Sequence, residues 1–352
     1  MINPSGTAAR RDSVACRGRS SSAALRDERI LVTGGAGFIG GHAVAELLLH
    51  CDHVGVLDDF SSGSIENLAV AIDRGLAEQD VIVEDIREPA AARAVESWRP
   101  TILVHLAAQS KVAMSIVDPL ADAAVNISGT VNILTAASNT DVRRIVLASS
   151  GGTVYGLAGA DGRRVPEGMR GAPTSPYGLA KSVAEDYLWL FARLHGLPGT
   201  SLTIGNAYGP GAGGGPGVGV VATFVERMTS GEMAEIHGDG RQTRDFVFVR
   251  DVAEAIVSAC IAGPTCRVNI GSGTATSLNE LLKIVAAATE RPARATYLAP
   301  RIGEVRHICL DVSRAAQVLG WHPRTALSQG IQHVVDAALA AETTTTREGK
   351  GK

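Results

Sequence analysis

The sequence of 352 residues lacks a strong net charge and a long apolar run. Its formal net charge is only −3, with both signs scattered along the chain, which argues against nucleic acid as a partner. No apolar run approaches the ~18 residues that a membrane-spanning helix needs, so we expect no membrane partner either. The apolar content of 45% is ample for a hydrophobic core.

Cysteines are also few, and they form no Cys-x-x-Cys motif and no cluster with histidine. The five are Cys16, Cys51, Cys260, Cys266 and Cys309. We therefore predict no metal site. An odd number of cysteines without a disulfide framework indicates free thiols in a reducing, cytoplasmic setting.

The chain divides into four segments by composition and periodicity. Residues 1–28 are rich in Arg, Ser and Ala and predict a disordered extension, and residues 341–352 predict a disordered tail. Alternating strand and helix patterns over residues 29–206 predict a Rossmann-like, doubly wound parallel α/β sheet. Glycine and proline then crowd together at Gly209–Gly217. Residues 207–340 predict a smaller mixed α/β substrate domain, with some segments returning to the first domain.

A glycine-rich turn joins the first predicted strand to the first predicted helix. Gly34-Gly-Ala-Gly-Phe-Ile-Gly40 follows the apolar run Arg29–Thr33. Such a turn lets the backbone approach a pyrophosphate, which the helix N-terminus then binds, and the alternative is a turn without a ligand. We predict cofactor contacts at Gly34, Gly37, Phe38, Ile39 and Gly40. Asp58 ends the next strand, about 20 residues further on, where a carboxylate accepts bonds from ribose hydroxyls and favours NAD over NADP.

Two further strand ends are candidates for the cofactor site. Asp85 ends the predicted strand Val81–Asp85 and predicts a contact to the adenine amino group, with its neighbour Ile86 beside it; a loop acid without a ligand is the alternative. The run Thr101–Leu106 is typical of a central buried strand. Leu106, Ala107 and Ala108 lie at its end, where small residues leave room for a cofactor. We expect His105, inside this run, to be a core residue.

Tyr177 and Lys181 stand four residues apart in a helical pattern and therefore share a helix face. A free phenol titrates near ~10 and is a poor base at neutral pH. A nearby ammonium favours the phenolate and lowers that pKa. The pair therefore predicts a proton acceptor for a substrate hydroxyl, against the alternative of a surface Tyr and a solvated Lys.

Several motifs follow one another between about residues 29 and 340. In their order and spacing they resemble the extended short-chain dehydrogenase/reductase family and, within it, the UDP-glucose 4-epimerases. The motifs are Thr33–Gly40, His105–Ser110, Ser149–Gly156, Tyr177–Lys181, Asn206–Pro210, Gly238–Phe246, Arg301–Glu304 and Leu319–Pro323. The resemblance implies bound NAD, with Tyr177 as acid/base and Lys181 as its partner that also contacts the nicotinamide ribose. Asn126 would be the family's helix-kink asparagine.

On the substrate side, the resemblance implies that Asn206, Arg244 and Arg301 hold the diphosphate of a UDP-sugar. Guanidinium forks match phosphate oxygens. Without the resemblance, Arg241, Arg244 and Arg250 would be assigned to a solvated basic loop, and Asn206 to the turn before Gly209-Pro210. Glu304 lies in the same motif. Ile308 would influence whether an N-acetyl group fits beside the sugar, so UDP-glucose/galactose and the N-acetyl analogues both stay open; core packing is its alternative role.

The implied reaction is C4 epimerisation through a transient 4-ketosugar. Related dehydratases carry acids where this chain has Gly152 and Thr153, which favours simple epimerisation. Many epimerases have Ser or Thr where this chain has Gly151, so Ser150 or Thr153 would supply the hydroxyl, and we favour Thr153. The alternatives are another nucleotide-sugar dehydratase, dehydrogenase or reductase, and a non-catalytic dinucleotide sensor.

Members of the family often pair through a bundle that includes the catalytic helix. The resemblance therefore implies a homodimer. Apolar side chains on this helix, at Leu188, Leu190, Phe191 and Leu194, agree with such pairing.

Overall fold

The computed structural model describes residues 24–159, 162–211, 219–301 and 304–348, with side chains up to residue 341. The expected N-terminal extension lies mostly outside the described residues, as does most of the Gly209–Gly217 loop. Residues 24–28, however, are packed onto the fold. Leu25 is buried in the core, and Glu28 pairs with Arg143. The ordered fold therefore begins before Arg29, because one apolar side chain and one ion pair fix this short segment.

The strands are β1 (Arg29–Thr33), β2 (His53–Asp58), β3 (Val81–Val83), β4 (Ile102–His105), β5 (Arg144–Ser150), β6 (Gly199–Ile204), β7 (Asn206–Tyr208), β8 (Ala234–His237), β9 (Thr243–Phe248), β10 (Arg267–Ile270), β11 (Ala275–Ser277) and β12 (Ala295–Leu298). Seven of them form one parallel sheet in the order β3-β2-β1-β4-β5-β6-β10. This sheet, with helices on both faces, confirms the predicted Rossmann-like fold. β10 comes from beyond residue 206 and completes one edge.

The helices are α1 (Phe38–Leu47), α2 (Ala69–Asp73), α3 (Pro89–Trp98), α4 (Val112–Val117), α5 (Pro119–Ala123), α6 (Thr130–Ser138), α7 (Pro176–His195), α8 (Val220–Thr229), α9 (Val249–Ala262), α10 (Leu278–Ala288), α11 (Ser313–Leu319) and α12 (Leu327–Glu348). Single 3₁₀ turns lie at Ile65–Leu68, Glu78–Asp80 and Leu157–Gly159, and a π-helical turn lies at Ala124–Gly129. None of the helices in the described part of the chain is long and apolar enough to cross a membrane.

The large sheet is buried on both faces because its strands are apolar at consecutive positions. Successive side chains point to opposite faces. Ile30 and Val32 of β1 pack in one cluster, beneath α1 and α9, whereas Leu31 belongs to the other, beneath α3, α6 and α7. The two cores therefore fix the carboxyl ends of the parallel strands in position. Ligands bind at these ends in open α/β sheets.

The remaining elements build a smaller unit with two short sheets, β11-β9-β7 and β12-β8. Its core is a third cluster, to which α8, α10 and α12 contribute Phe224, Leu281 and Ile331. α12 continues to Glu348, so residues 341–348 have helical backbone where we expected a disordered tail. Alanine and glutamate at 340–342 are good helix formers, which favours this continuation.

Candidate dinucleotide and substrate site

The glycine-rich turn is closed so tightly that side chains do not fit. Gly34 has a φ of +69°, and a Cβ there would lie 2.5 Å from the Ala107 nitrogen. A Cβ on Gly40 would lie 2.1 Å from the Gly34 carbonyl oxygen. Gly37 is the N-cap of α1, with no side-chain cap and no acidic residue in the first turn. The N–H groups of Phe38 and Ile39 at the start of α1 are therefore available to a phosphate, and the turn fits a dinucleotide.

Asp58 ends β2 beside this turn and is 7% exposed. Its two carboxylate oxygens accept hydrogen bonds from the backbone nitrogens of Ala36 and Phe60, both at 2.9 Å. Burial raises the pKa of Asp58 above its ordinary value. Each oxygen keeps a second lone pair for a ribose hydroxyl. The neighbouring Asp59 bonds instead to Ser61 at the surface.

Asp85 and Ile86 lie past the end of β3, which stops at Val83 and is shorter than the sequence predicted. Asp85 is paired with Arg87, whose Nε lies 2.9 Å from Oδ2, and this guanidinium holds the pKa of Asp85 below its usual range. An adenine amino group would share the carboxylate with Arg87. Ile86 is buried, and its side chain closely faces Gly129 in the π-helical turn.

The end of β4 borders the glycine-rich turn. Leu106 donates its backbone N–H to the Thr33 carbonyl at 3.0 Å, and Ala107 and Ala108 follow, half-buried. His105 is fully buried, with its ring nitrogens 2.7 Å from Thr33 Oγ1 and 3.0 Å from Thr130 Oγ1. Burial lowers the pKa of His105 to about 3. The prediction that His105 is a core histidine is confirmed.

Asn126 lies inside the π-helical turn and is 1% exposed. Its amide nitrogen donates to the Gln109 carbonyl oxygen at 3.0 Å and to Asp122 Oδ1 at 2.9 Å. Gln109 also donates to Asp122 Oδ1, at 2.8 Å. Asp122 and Gln109 were not among our predicted site residues, because an isolated acid in an apolar helix gives no local signal of its partners.

Tyr177 and Lys181 lie near the start of α7, whose N-cap Ser175 accepts a hydrogen bond from Gly178 at 3.2 Å. The two side chains are 9% and 4% exposed. The pair is therefore not a surface Tyr beside a solvated Lys. Burial lowers the pKa of Lys181 to about 8, while Glu185 and Asp122 act to raise it.

The pKa of Tyr177 moves opposite to our expectation from the sequence. Burial raises it to about 12, and a hydrogen bond with Ser150 opposes the rise. The expected lowering is wrong for the protein chain alone, because the helical spacing shows proximity and not the loss of hydration.

The two candidate hydroxyls, Ser150 and Thr153, have different surroundings. The side chain of Ser150 acts to lower the pKa of Tyr177. Thr153 Oγ1 is buried without a partner. The preference for Thr153 stays a prediction, because its unpartnered hydroxyl can still bind a sugar. Gly151 faces the core side chain of Leu310, since a Cβ at Gly151 would lie 2.7 Å from a methyl group of Leu310.

The substrate-side residues lie on β7, on β9 and in the segment that follows β12. Asn206 begins β7, and its buried Oδ1 has no partner. Arg244 on β9 donates to Glu304 Oε1 and to the Val305 carbonyl oxygen, each at 2.7 Å. Burial lowers the pKa of Arg244, and Glu304 opposes this. Arg301 is exposed.

Ile308 packs in a small core cluster with Val154, Tyr155 and Leu310 and is only 1% exposed. This burial agrees with the core-packing role that was the alternative. Its influence on substrate size stays a prediction.

Several buried polar atoms at the carboxyl edge have no partner among the described residues. They are Ser149 Oγ, Thr153 Oγ1, Asn206 Oδ1, Asp122 Oδ2 and Asn126 Oδ1. Buried polar groups are normally hydrogen-bonded, so these atoms indicate a place where a polar ligand binds.

Comparison with known proteins agrees with this geometry. Residues 30–271 match the model of the NAD dependent epimerase/dehydratase family. A UDP-glucose 4-epimerase of Mycolicibacterium smegmatis is 41% identical over 309 residues, covering 88% of this chain and 97% of that protein.

Two solved structures have the same architecture. The UDP-glucose 4-epimerase of Thermotoga maritima with UDP-glucose gives a TM-score of 0.81 at 37% identity, covering 89% of this chain and 99% of that one. The Thermus thermophilus UDP-glucose 4-epimerase in complex with NAD gives 0.79 at 35% identity, with the same coverage. The resemblance seen in the sequence is confirmed: this chain belongs to the NAD-dependent epimerase/dehydratase family.

Proposed function

We propose that the protein catalyses NAD-dependent epimerisation at C4 of a UDP-hexose through a transient 4-ketosugar. The observation that carries the proposal is the buried pair Tyr177 and Lys181, at the strand edge that also holds the glycine-rich turn. Relatives with this architecture are UDP-glucose 4-epimerases that were solved with UDP-glucose or with NAD. NAD, when bound, accepts a hydride from the sugar and returns it.

Tyr177 exchanges the proton of the sugar 4-hydroxyl. Its pKa of about 12 in the chain alone leaves very little phenolate at neutral pH, so nearby positive charge has to stabilise the phenolate. Lys181, on the same helix face, supplies that charge. Ser150, whose side chain acts to lower the pKa of Tyr177, orients the same hydroxyl in this proposal. Loss of the proton and its return at the same atom leave Tyr177 unchanged after one turnover.

Simple epimerisation is favoured over dehydration or decarboxylation by the residues after β5. Elimination needs an acid or base besides the tyrosine. Gly152 and Thr153 stand where the related dehydratases carry that acid pair. Thr153 offers only an unpartnered hydroxyl, which suits a hydrogen bond to a sugar.

The UDP moiety is held, in this proposal, by Asn206, Arg244 and Arg301. The ion pair of Arg244 with Glu304 leaves part of the guanidinium for a phosphate, since Arg carries five N–H donors. Diphosphate binding fixes the nucleotide, while the hexose rotates within the site and presents its other face. UDP-glucose, UDP-galactose and their N-acetyl analogues are the candidate substrates.

The test is product analysis by NMR after incubation with these four UDP-sugars. We expect interconversion at C4 without change of mass and without lasting NADH absorbance. Tyr177→Phe should retain NAD but lose at least 100-fold in kcat, on the order expected for loss of a general base. Tyr187→Phe, on the same helix away from the site, is the matched control and should keep near-normal turnover. Absence of any interconversion, or near-normal turnover by Tyr177→Phe, contradicts the proposal.

We further propose a cytoplasmic homodimer. Met114, Val117 and Leu120 of α4 and α5, together with Leu194 of α7, are large apolar side chains that are more than half exposed. A second copy of this helical face would bury them. Of the four residues named from the sequence, Leu188 and Phe191 belong to the core instead. The free cysteines among the described residues support a reducing compartment.

A further inference from the structure

Lys181 is a buried cation with unusual surroundings. It is 4% exposed, and neither a hydrogen bond nor an ion pair within 4 Å holds its ammonium in the described part of the chain. A buried ammonium without compensation tends to lose its proton. The proposed chemistry needs the opposite, a lysine that stays charged next to Tyr177.

Four titratable groups act on this ammonium or lie beside it. Tyr177 and Glu185 share its helix, Asp122 comes from α5, which packs against α7, and His105 comes from β4. His105 is neutral, because burial lowers its pKa to about 3. Only the two carboxylates, Glu185 and Asp122, can therefore favour the charged lysine.

The two carboxylates are not equivalent. Glu185 is fully buried, forms an ion pair with Arg267 and accepts a hydrogen bond from Ser201 Oγ at 2.8 Å. Arg267 also stacks on the ring of Tyr155, with its guanidinium carbon 5.6 Å from the ring centroid. The charge of Glu185 is thus already balanced by an arginine that is fixed in place.

Asp122 has no such cation. Its Oδ1 accepts hydrogen bonds from Gln109 and Asn126, at 2.8 and 2.9 Å, which are neutral amides. Its Oδ2 is buried without a partner among the described residues. Burial raises the pKa of Asp122, and the positive charge of Lys181, on the helix that packs against α5, acts to lower it.

Building on the proposed function, we propose that Asp122 is a positioning residue that keeps Lys181 protonated in its buried site and so lets the ammonium stabilise the Tyr177 phenolate. The two amides that bond Oδ1 fix the carboxylate and leave Oδ2 free. Asp122 also acts directly on Tyr177, where its negative charge disfavours the phenolate. The direct effect and the effect through Lys181 change the pKa of Tyr177 in opposite directions. The direction in which the Tyr177 titration moves therefore shows which effect is larger.

Asp122→Asn is the test, because its amide oxygen can keep both hydrogen bonds from Gln109 and Asn126 while the charge is lost. We measure kcat/KM against pH with the NAD holoenzyme. If Asp122 holds the lysine proton, the alkaline limb moves to lower pH by about one unit, as expected for the loss of a nearby opposite charge. Asp122→Glu, which keeps the charge, should restore most of the wild-type limb.

Asp118→Asn is the matched control. Asp118 is an exposed N-cap of α5 that accepts from Ala121 at 2.9 Å, and Asn caps equally well. It removes one negative charge from the same element and should leave the profile unchanged. An unchanged alkaline limb in Asp122→Asn, or a shift of the acid limb alone, overturns the proposal.

A second readout does not depend on turnover. Ultraviolet difference absorbance of tyrosinate, taken between the holoenzyme and its Tyr177→Phe variant, follows the Tyr177 titration directly. Asp122→Asn should move that titration to higher pH, and a move to lower pH contradicts the proposal. If UDP-sugars are not interconverted but this titration moves as expected, the proposed function fails while Asp122 keeps its role. Asp122→Ser is a second charge-removing variant should Asp122→Asn not fold.

Discussion

Gly34 and Ala107 lie so close that a Cβ on Gly34 would stand 2.5 Å from the Ala107 nitrogen and 2.7 Å from its Cα. These atoms are backbone and cannot swing away. The contact brings the glycine-rich turn after β1 against the end of β4, the two places where we expect NAD to bind. A change at Gly34 therefore acts on fold and cofactor together.

Gly34→Ala should abolish NAD retention and lower the free energy of unfolding. Alanine has to adopt a φ of +69° and also collides with the backbone. Gly196→Ala is the matched control, since Gly196 has a φ of +65° with nothing within 4 Å. The control should cost about 1–2 kcal/mol from the left-handed backbone alone and keep NAD. Urea unfolding and the NAD content of the purified protein measure both effects, and equal costs in the two variants contradict the argument.

The buried ring of His105 should make the stability of the fold depend on pH. Its pKa is about 3 in the fold and 6.5 as the ordinary value, so the unfolded chain binds one more proton between these limits. Its contribution to stability is fully present above pH 6.5 and is lost as the pH falls toward 3, by up to about 1.4 kcal/mol per unit.

Urea unfolding at pH 7, 6 and 5 tests this for wild type and His105→Gln. The variant lacks the titrating ring, so its stability should fall less steeply in acid than that of wild type. His53→Gln, at the exposed start of β2, is the control and should follow wild type. Equal slopes for wild type and His105→Gln would show that His105 does not contribute.

The sequence predicted those parts of the site that lie in short, contiguous segments. The glycine turn, Asp58 and the spacing of Tyr177 from Lys181 are local patterns, and the structure brings them to one edge of the sheet. The partnership of Arg244 with Glu304 spans 60 residues and needed the fold. So did the role of Asp122, because the amide of Asn126 comes from the π-helical turn and that of Gln109 from the segment after β4.

Burial explains why the expected direction of the Tyr177 pKa was wrong. The sequence shows that a lysine is near a tyrosine but not how much water both lose, and that loss decides the pKa of Tyr177. The positions of Ser150 and Thr153 depend on the turn after β5, in which Val154 donates its backbone N–H to the Ser150 carbonyl at 3.0 Å. Ile308 was assigned by motif position, whereas the packing of Val154 and Tyr155 around it is tertiary.

We predict that substitutions at Gly151 and Leu310 are coupled in their effects on the free energy of unfolding. A serine at 151 would place its Cβ 2.7 Å from Leu310 Cδ1 and 3.2 Å from the Ile204 carbonyl oxygen. We expect Gly151→Ser to cost roughly 1–3 kcal/mol through overpacking. Leu310→Ala alone should cost roughly 2–5 kcal/mol through its cavity.

The double variant should lose less than the sum, because the serine occupies part of the space that the leucine leaves. A double-mutant cycle by urea unfolding measures the coupling. Gly152→Ser is the control, since its Cβ would meet nothing closer than 3.4 Å and should change stability little. Strict additivity of Gly151→Ser and Leu310→Ala would show that the two positions do not share space.

The exposed apolar face of α4, α5 and α7 predicts how the proposed dimer dissociates. Val117 and Leu120 are 77% and 82% exposed, so lysine at either position should leave the monomer fold intact. In a dimer each substitution buries two charges, one per copy, because the interface is self-complementary. Val117→Lys with Leu120→Lys should therefore sediment as a monomer where wild type sediments as a dimer. Val70→Lys, at a 52% exposed position on α2, is the control and should stay dimeric. A monomeric wild type contradicts the proposed dimer, and a dimer that survives both lysines places the contact elsewhere.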